Sequence, residues 1–195
     1  MDILKNINMW RIRLGETSSL GEMSVREIFE IARQESPPCV PVGWGKVDLS
    51  QENIEDVARD YEGAYDEPFD GSNMSQIESF LAIKPNDIVF VMTVKMKLCA
   101  IGIVLGKRHV EDENFDIEII GGTGYSKRGP YGTVSFYNRL DVKWIVNLDV
   151  SIPIRSLTNS SELIGTLSHQ YTVLPIKETS IVEALKLICE CLKLS

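Results

Sequence analysis

The 195-residue chain lacks several features that would place it in a common functional class. It has only four cysteines and no Cys-x-x-Cys pair, which disfavours a structural zinc site. No apolar run is long enough to span a bilayer, and the N-terminus lacks the charged start and apolar core of a signal peptide. The sequence therefore predicts a cytoplasmic protein with reduced thiols and no membrane partner.

Groups that commonly perform catalysis are also scarce. The two histidines, His109 and His169, belong to no triad or metal-ligand spacing. No glycine-rich loop ends in Gly-Lys-Ser or Gly-Lys-Thr, so nucleotide binding is poorly supported. Five carboxylates between residues 111 and 118 have the spacing of a solvated loop rather than of a metal site. We therefore expect a binding domain with no cofactor and no metal, and a small hydrolase or nuclease is the enzymatic alternative.

Positive charge is in deficit, with 20 Lys and Arg against 28 Asp and Glu and a net charge of -8. This balance disfavours a protein that binds any phosphate backbone without discrimination. The deficit lies in residues 1–94, which contain 8 basic and 17 acidic residues, whereas residues 95–155 contain 9 and 7. We therefore expect an anionic partner to contact the middle third of the chain.

The first half of the sequence predicts mainly helices. Alternation at Trp10, Ile12 and Leu14 first predicts an edge strand with one apolar and one basic face. Capping residues and helical spacing then predict helices at about 24–34 and 51–64, and a short helix capped by Ser75.

Strands dominate the middle of the chain, and a helix at about 180–194 closes it. Helices, then strands, then a helix indicate an α+β fold, and hairpin-linked strands in this number commonly curl into a small barrel. We expect one domain over residues 1–195 with a core at about 8–160. The predicted strands lie at about 88–94, 98–105, 115–120, 134–138 and 142–148.

Trp44 is the residue that most favours a binding function. It lies between Gly43 and Gly45, in a segment with too many breakers for a long helix or strand. The glycines leave its indole unshielded and let another planar group approach, as a stacking platform for a base requires. Asp48 has the chemistry to accept hydrogen bonds from an exocyclic amine, or to serve in a turn or helix cap. Basic and aromatic residues are interleaved in a second glycine-rich segment, residues 121–132.

Four segments carry a further signal in their order along the chain: Gly43-Trp44-Gly45-x-x-Asp48-Leu49-Ser50, Ile83-Lys84-Pro85-Asn86-Asp87-Ile88-Val89, Ile101-Gly102-Ile103-Val104 and Arg139-Leu140-Asp141-Val142-Lys143-Trp144-Ile145. In this order they resemble the EVE-like branch of the PUA superfamily. They are similar as well to YTH domains and to the N-terminal recognition domains of McrB-type modification-dependent restriction proteins. The resemblance covers roughly residues 8–160 and implies a small, strongly curved mixed β-barrel flanked by helices.

This resemblance implies a DNA-binding module that holds a modified base, methylated adenine or methylcytosine, flipped out of the duplex into an aromatic pocket. In a full-length protein the module would direct the AAA+ motor and nuclease subunit of a restriction complex to double-stranded DNA. The motif match assigns the pocket tryptophan to Trp44. The other base-binding candidates are Asp48, Trp10, Tyr125, Tyr131 and Phe136, and the phosphate-binding candidates are Lys46, Lys127, Arg128 and Arg139.

Other interpretations stay open from the sequence. Trp10 alternates with Ile12 and Leu14, and this pattern also fits a place in the core. An RNA-binding PUA-like module would read RNA by stacking and by contacts to the 2′-hydroxyl groups. A protein-interaction domain would bind no nucleic acid even at low salt.

Overall fold

A curled mixed sheet lies at the centre of the computed structural model, which describes residues 8–14, 25–51, 53–93, 95–120, 131–169 and 172–194. In this part of the chain the sheet has six strands in the order β2-β7-β4-β3-β1-β8, and β5 and β6 form a separate hairpin. β1 and β3 are parallel, and the other pairs are antiparallel. The strands are β1 (Met9–Leu14), β2 (Cys39–Val42), β3 (Ile88–Thr93), β4 (Lys97–His109), β5 (Asp116–Ile120), β6 (Tyr131–Ser135), β7 (Asn138–Pro153) and β8 (Val173–Pro175).

The two longest strands, β4 and β7, give the sheet its curvature. Their pairing register shifts at three places, between Leu98 and Ala100, at Gly102, and before Gly106. Each such irregularity bends the strand and increases its local twist. The helices and the curled mixed sheet confirm the predicted α+β class, and the curvature is compatible with a small barrel.

Helices cover both faces of this sheet. Alternate side chains of β3 divide between two apolar cores, with Val89 and Val91 in one and Phe90 and Met92 in the other. α1, α2 and α3 pack into the first core, and α4 and α5 into the second. No helix in the described ranges is long and apolar enough to cross a membrane. The helices are α1 (Val25–Ala32), α2 (Ile54–Tyr65), α3 (Gly71–Ala82), α4 (Ser161–Ser168) and α5 (Ile181–Leu192).

β1 is an interior strand, so the prediction of an edge strand with an exposed basic face is wrong. It lies between β3 and β8, and Arg11 is fully buried on it. The Arg11 guanidinium donates to the carbonyl oxygen of His169 at 3.0 Å. Burial, together with the nearby charge of Arg13, lowers the pKa of Arg11 to about 10. The covering strand β8 has only three residues, too few for a sequence pattern to indicate it.

Trp10 lies in the core, which corrects its assignment to the base pocket. Its side chain is only 8% exposed, and its Nε1 donates to Asp87 Oδ2 at 2.7 Å. The same carboxylate accepts from Asn8 Nδ2 at 3.1 Å and from the Lys84 N–H at 2.9 Å. Asp87 therefore links β1 to the turn that precedes β3.

We expect Asp87→Ala to lower the free energy of unfolding by about 2–3 kcal/mol, because it leaves the buried indole N–H of Trp10 without an acceptor and removes hydrogen bonds to a charged group. Urea denaturation followed by circular dichroism measures this change. Asp149→Ala is the control, since Asp149 is an exposed carboxylate on β7, and should shift stability by less than about 0.5 kcal/mol. Equal unfolding midpoints for the two variants would contradict the linking role of Asp87.

Candidate functional site

The segment after β2, residues 43–50, holds Trp44 in an unfavourable backbone conformation; we call it the Trp44 loop. The φ angle of Trp44 is 60°, in the left-handed region, where a bulky side chain costs on the order of 1–2 kcal/mol. The indole is half-buried and packs against the core formed with α1, α2 and α3. A conformation of this kind persists only where the surrounding structure imposes it.

The side chain of Asn138, the first residue of β7, imposes the shape of the Trp44 loop. Asn138 is 1% exposed, and its Nδ2 donates to the carbonyl oxygens of Gly43, Trp44 and Val47 at 3.2, 3.0 and 3.0 Å. Its Oδ1 accepts from the Leu49 N–H at 2.9 Å. The loop is thus wrapped around a single buried amide, which satisfies backbone groups on both sides of Trp44.

His109, the last residue of β4, is also bonded to Asn138, and this contact determines where its ring carries a proton. His109 Nδ1 lies 3.0 Å from Asn138 Oδ1. Since the Leu49 N–H needs an acceptor at that atom, it is the carbonyl oxygen, and His109 Nδ1 must donate. In the neutral ring Nε2 then has a free lone pair, and it has no hydrogen-bond partner among the described residues.

The base of the β5–β6 hairpin lies directly against the Trp44 loop. The Gly45 N–H donates to the Ser135 carbonyl oxygen at 3.0 Å, and the Phe136 N–H donates to the Phe115 carbonyl oxygen at 2.9 Å. A Cβ at Gly45 would lie 2.4 Å from both Ser135 Cβ and Ser135 O, closer than any side chain can approach. Glycine is therefore required at position 45 for close approach, and the hairpin and the loop are in fixed contact.

Tyr137 and Asp116 form a polar pair at the same hairpin base. The Tyr137 hydroxyl donates to Asp116 Oδ2 at 2.9 Å, and the tyrosine ring contacts His109 edge-on with centroids 6.0 Å apart. Burial, and then the hydrogen bond to Asp116, raise the pKa of Tyr137 above its usual value. Tyr137 is therefore a neutral hydrogen-bond donor at physiological pH, and its ring packs against the ring of His109.

Arg139 is buried in an ion cluster, which corrects its assignment as a contact to DNA phosphate. It is 2% exposed, and it donates to both carboxylate oxygens of Glu35 at 2.8 and 2.9 Å and to Asp112 at 3.2 Å. Its guanidinium carbon lies 3.8 Å from the centre of the Phe115 ring, and Arg108 donates to the same Glu35 at 2.6 Å. Arg139 therefore holds together the residues after α1, β7 and the segment before the hairpin.

Two of the five carboxylates between residues 111 and 118, Asp112 and Asp116, have structural partners, so the prediction of a solvated loop is wrong for these two. Burial alone would raise the pKa of Asp112, but the Asn114 N–H and the Arg139 guanidinium hold it below its usual value. Asp116 accepts from Tyr137, and its other oxygen is buried without a partner in the described part of the chain. In the same part, no three His, Cys, Asp or Glu residues are grouped closely enough to hold a metal ion.

Two other candidates lie on the Trp44 loop itself. Asp48 is half-buried, and its Oδ1 accepts from the Ser50 N–H at 2.8 Å and from the Ser50 hydroxyl at 2.6 Å, which is the turn role considered above. Lys46 is exposed, with its Nζ 5.9 Å from the centre of the Tyr65 ring. Among the described candidates, Lys46 is therefore the exposed cation on the Trp44 loop.

The structure describes two of the remaining candidates, Phe136 and Tyr131. Phe136 is 9% exposed and lies in the core, which corrects its assignment as a pocket wall. Tyr131 pairs with Ile120 at the end of the hairpin opposite Ser135, roughly 13 Å along the strand at the usual rise per residue. Tyr125, Lys127 and Arg128 lie outside the described residues.

A cavity of about 190 Å³ adjoins the end of the Trp44 loop at Ser50. Leu81 lines it, together with the exposed Lys84 and with Lys107. The Nζ of Lys107 donates to the Leu81 carbonyl oxygen at 2.6 Å. Lys84 is thus a second exposed cation at a concave surface that continues from the loop.

One known protein family matches most of the chain. Residues 10–169 match DUF8426, a domain of unknown function. The chain belongs to the DUF8426 family. The DUF8426 region spans β1 to α4 and contains the Trp44 loop, Asn138 and His109, whereas α5 follows it. No curated protein and no solved structure matches the chain.

We expect Asn138→Asp to lower the free energy of unfolding by about 3 kcal/mol or more, because a carboxylate would face three carbonyl oxygens that now accept hydrogen bonds. Chemical denaturation measures the change. Asn147→Asp is a matched control on the exposed side of the same strand, where we expect less than about 0.5 kcal/mol. Equal stability of the two variants would show that the Trp44 loop does not depend on Asn138.

Gly45 and Gly43 provide a second matched pair. We expect Gly45→Ala to destabilise the protein by about 1–3 kcal/mol, because the new methyl group overlaps Ser135. A Cβ at Gly43 meets no atom within 4 Å, so Gly43→Ala should be tolerated. Thermal unfolding of both variants tests this, and a loss of stability in Gly43→Ala alone would contradict it.

Proposed function

We propose that the DUF8426 region of this chain is a non-catalytic DNA-binding module in which Trp44 stacks on a modified base flipped out of a duplex. The observation that carries the proposal is the left-handed backbone of Trp44, held by the buried amide of Asn138. A tryptophan needed only for the core could pack from an ordinary backbone conformation. Strain maintained by a dedicated buried group is typical of binding sites, where it orients a side chain in advance.

The placement of Trp44 suits stacking. Its half-buried indole is fixed by the loop, so little conformational freedom is lost when a ligand binds. Stacking contributes about 1–3 kcal/mol per base, and burying an added methyl group about 0.8 kcal/mol. Flipping a base costs a few kcal/mol, so contacts to phosphate are also needed to hold the distorted duplex.

We assign those phosphate contacts to Lys46 and Lys84. Lys46 is exposed on the Trp44 loop, and Lys84 lines the cavity that adjoins Ser50 at the end of that loop. With so few cations and a net charge of -8, binding to unmodified DNA will be weak. Weak non-specific binding to the DNA backbone favours discrimination, because the affinity then depends on the base.

We also propose that the curled sheet is an EVE-like barrel and that the module works with the partners of such a domain. The α+β class and the curvature of the sheet support it. In that role the module acts in the cytoplasm and directs an AAA+ motor and a nuclease subunit to modified double-stranded DNA. The function of the chain itself is recognition.

The direct test is Trp44→Ala, titrated by fluorescence anisotropy against duplexes with one N6-methyladenine, one 5-methylcytosine or no modification. We expect the wild-type protein to prefer one modified duplex. We expect Trp44→Ala to weaken that binding about tenfold or more, because the stacking surface is lost. Binding to unmodified DNA should change little.

Trp44→Phe is the control, because it keeps an aromatic ring and should retain part of the preference. Equal affinity of the wild-type protein for all three duplexes, or an unchanged preference in Trp44→Ala, would overturn the proposal. If single-stranded RNA binds more tightly than modified DNA in a competition at fixed salt, the partner is RNA rather than DNA.

A further inference from the structure

We propose that His109 reads the base held by Trp44, with Nε2 accepting a hydrogen bond from the exocyclic amino group. This assignment rests on the proposed function and adds the residue that determines specificity for an amino-bearing base. Adenine, cytosine, N6-methyladenine and 5-methylcytosine all carry an N–H at this position, so each needs an acceptor in the protein.

His109 lies at the same end of the sheet as Trp44. Val42, Asn138 and His109 are lateral neighbours on β2, β7 and β4. Trp44 follows Val42 by two residues, and its carbonyl oxygen and His109 Nδ1 are bonded to opposite ends of the same Asn138 amide. The imidazole and the Trp44 peptide are therefore separated by a single amide group.

Several other polar groups near Trp44 already have partners. The Asn138 amide donates to three carbonyl groups and accepts from two donors. The Gly45 N–H is bonded to Ser135, and the Tyr137 hydroxyl to Asp116. His109 Nε2 is by contrast an acceptor without a partner in the described ranges.

The direction of this acceptor is held by two contacts. The hydrogen bond at Nδ1 orients the ring and keeps the lone pair of the neutral form on Nε2. The edge of the ring contacts Tyr137, whose hydroxyl is in turn fixed by Asp116. A site that is built to bond one N–H group rejects an analogue that lacks it, because its own polar group is then left unpaired.

Asp48 is the competing acceptor, and its geometry favours it less. Its Oδ1 is engaged by two hydrogen bonds from Ser50, which hold the carboxylate in its own turn. A charged acceptor would also carry a larger cost of desolvation when a base covers it. We therefore assign the amino group to His109 and keep Asp48 as the comparison.

The experiment compares bases that differ in the amino N–H. One pair of duplexes carries 5-methylcytosine or 5-methylpyrimidin-2-one, and the other carries N6-methyladenine or N6,N6-dimethyladenine. For the pair whose modification is recognised, we expect the wild-type protein to bind the amino-bearing base about five- to tenfold more tightly. We expect His109→Phe to bind both members equally and His109→Gln, which has a carbonyl acceptor, to retain part of the difference.

Nitrogen-15 NMR of the wild-type protein provides a readout that a purely structural role would not move. We expect the resonance of unprotonated His109 Nε2 to shift on binding the amino-bearing duplex, but not its analogue. An unchanged resonance, or a full amino preference in folded His109→Phe, overturns the assignment. Loss of the preference in Asp48→Asn instead transfers the role to Asp48. A wild-type protein that fails to distinguish modified from unmodified DNA overturns the proposed function itself.

Discussion

The buried amide of Asn138 is the interaction on which the arrangement of the candidate site depends. Its side chain bonds to Gly43 and Leu49 of the Trp44 loop and to His109 at the end of β4. An amide suits this position because it donates and accepts at once, and both functions are used fully. A buried network in which every hydrogen bond is made is rigid, whereas a partly satisfied one is costly. The site therefore has one well-defined geometry in the absence of a ligand.

The ion cluster around Arg139 stabilises the same end of the sheet from the adjacent position on β7. Asn138 and Arg139 are consecutive, and their side chains leave the strand on opposite faces. Arg139 bonds to Glu35 and Asp112, while Asn138 bonds to the Trp44 loop and His109. The start of β7 thus anchors the segment after α1 and the base of the hairpin through charges, and the loop through a neutral amide.

Helical spacing in the sequence was sufficient to locate four helices, and alternation was sufficient for the clearest strands. The predicted caps were less accurate, because Ser75 lies inside α3 and Ser180 makes no capping hydrogen bond. Local patterns missed β2, α4 and β8, because a short element of this kind is stabilised mainly by its partner in space. They misplaced Arg139 for a related reason, since its carboxylate partner Glu35 is 104 positions away in the chain. Gly45 was predicted to let a planar group approach Trp44. In the structure the missing side chain of Gly45 makes room for Ser135 instead. Asn138 was missed because one polar residue in an alternating strand is typical of a solvent-facing position.

The contact between Gly45 and Ser135 fixes one end of the hairpin at the Trp44 loop. The base is joined to the Trp44 loop by a hydrogen bond between backbone atoms, while the Ile120–Tyr131 pair lies at the opposite end. A substitution at the hairpin base would therefore change the geometry of Trp44 without altering any residue of the Trp44 loop itself.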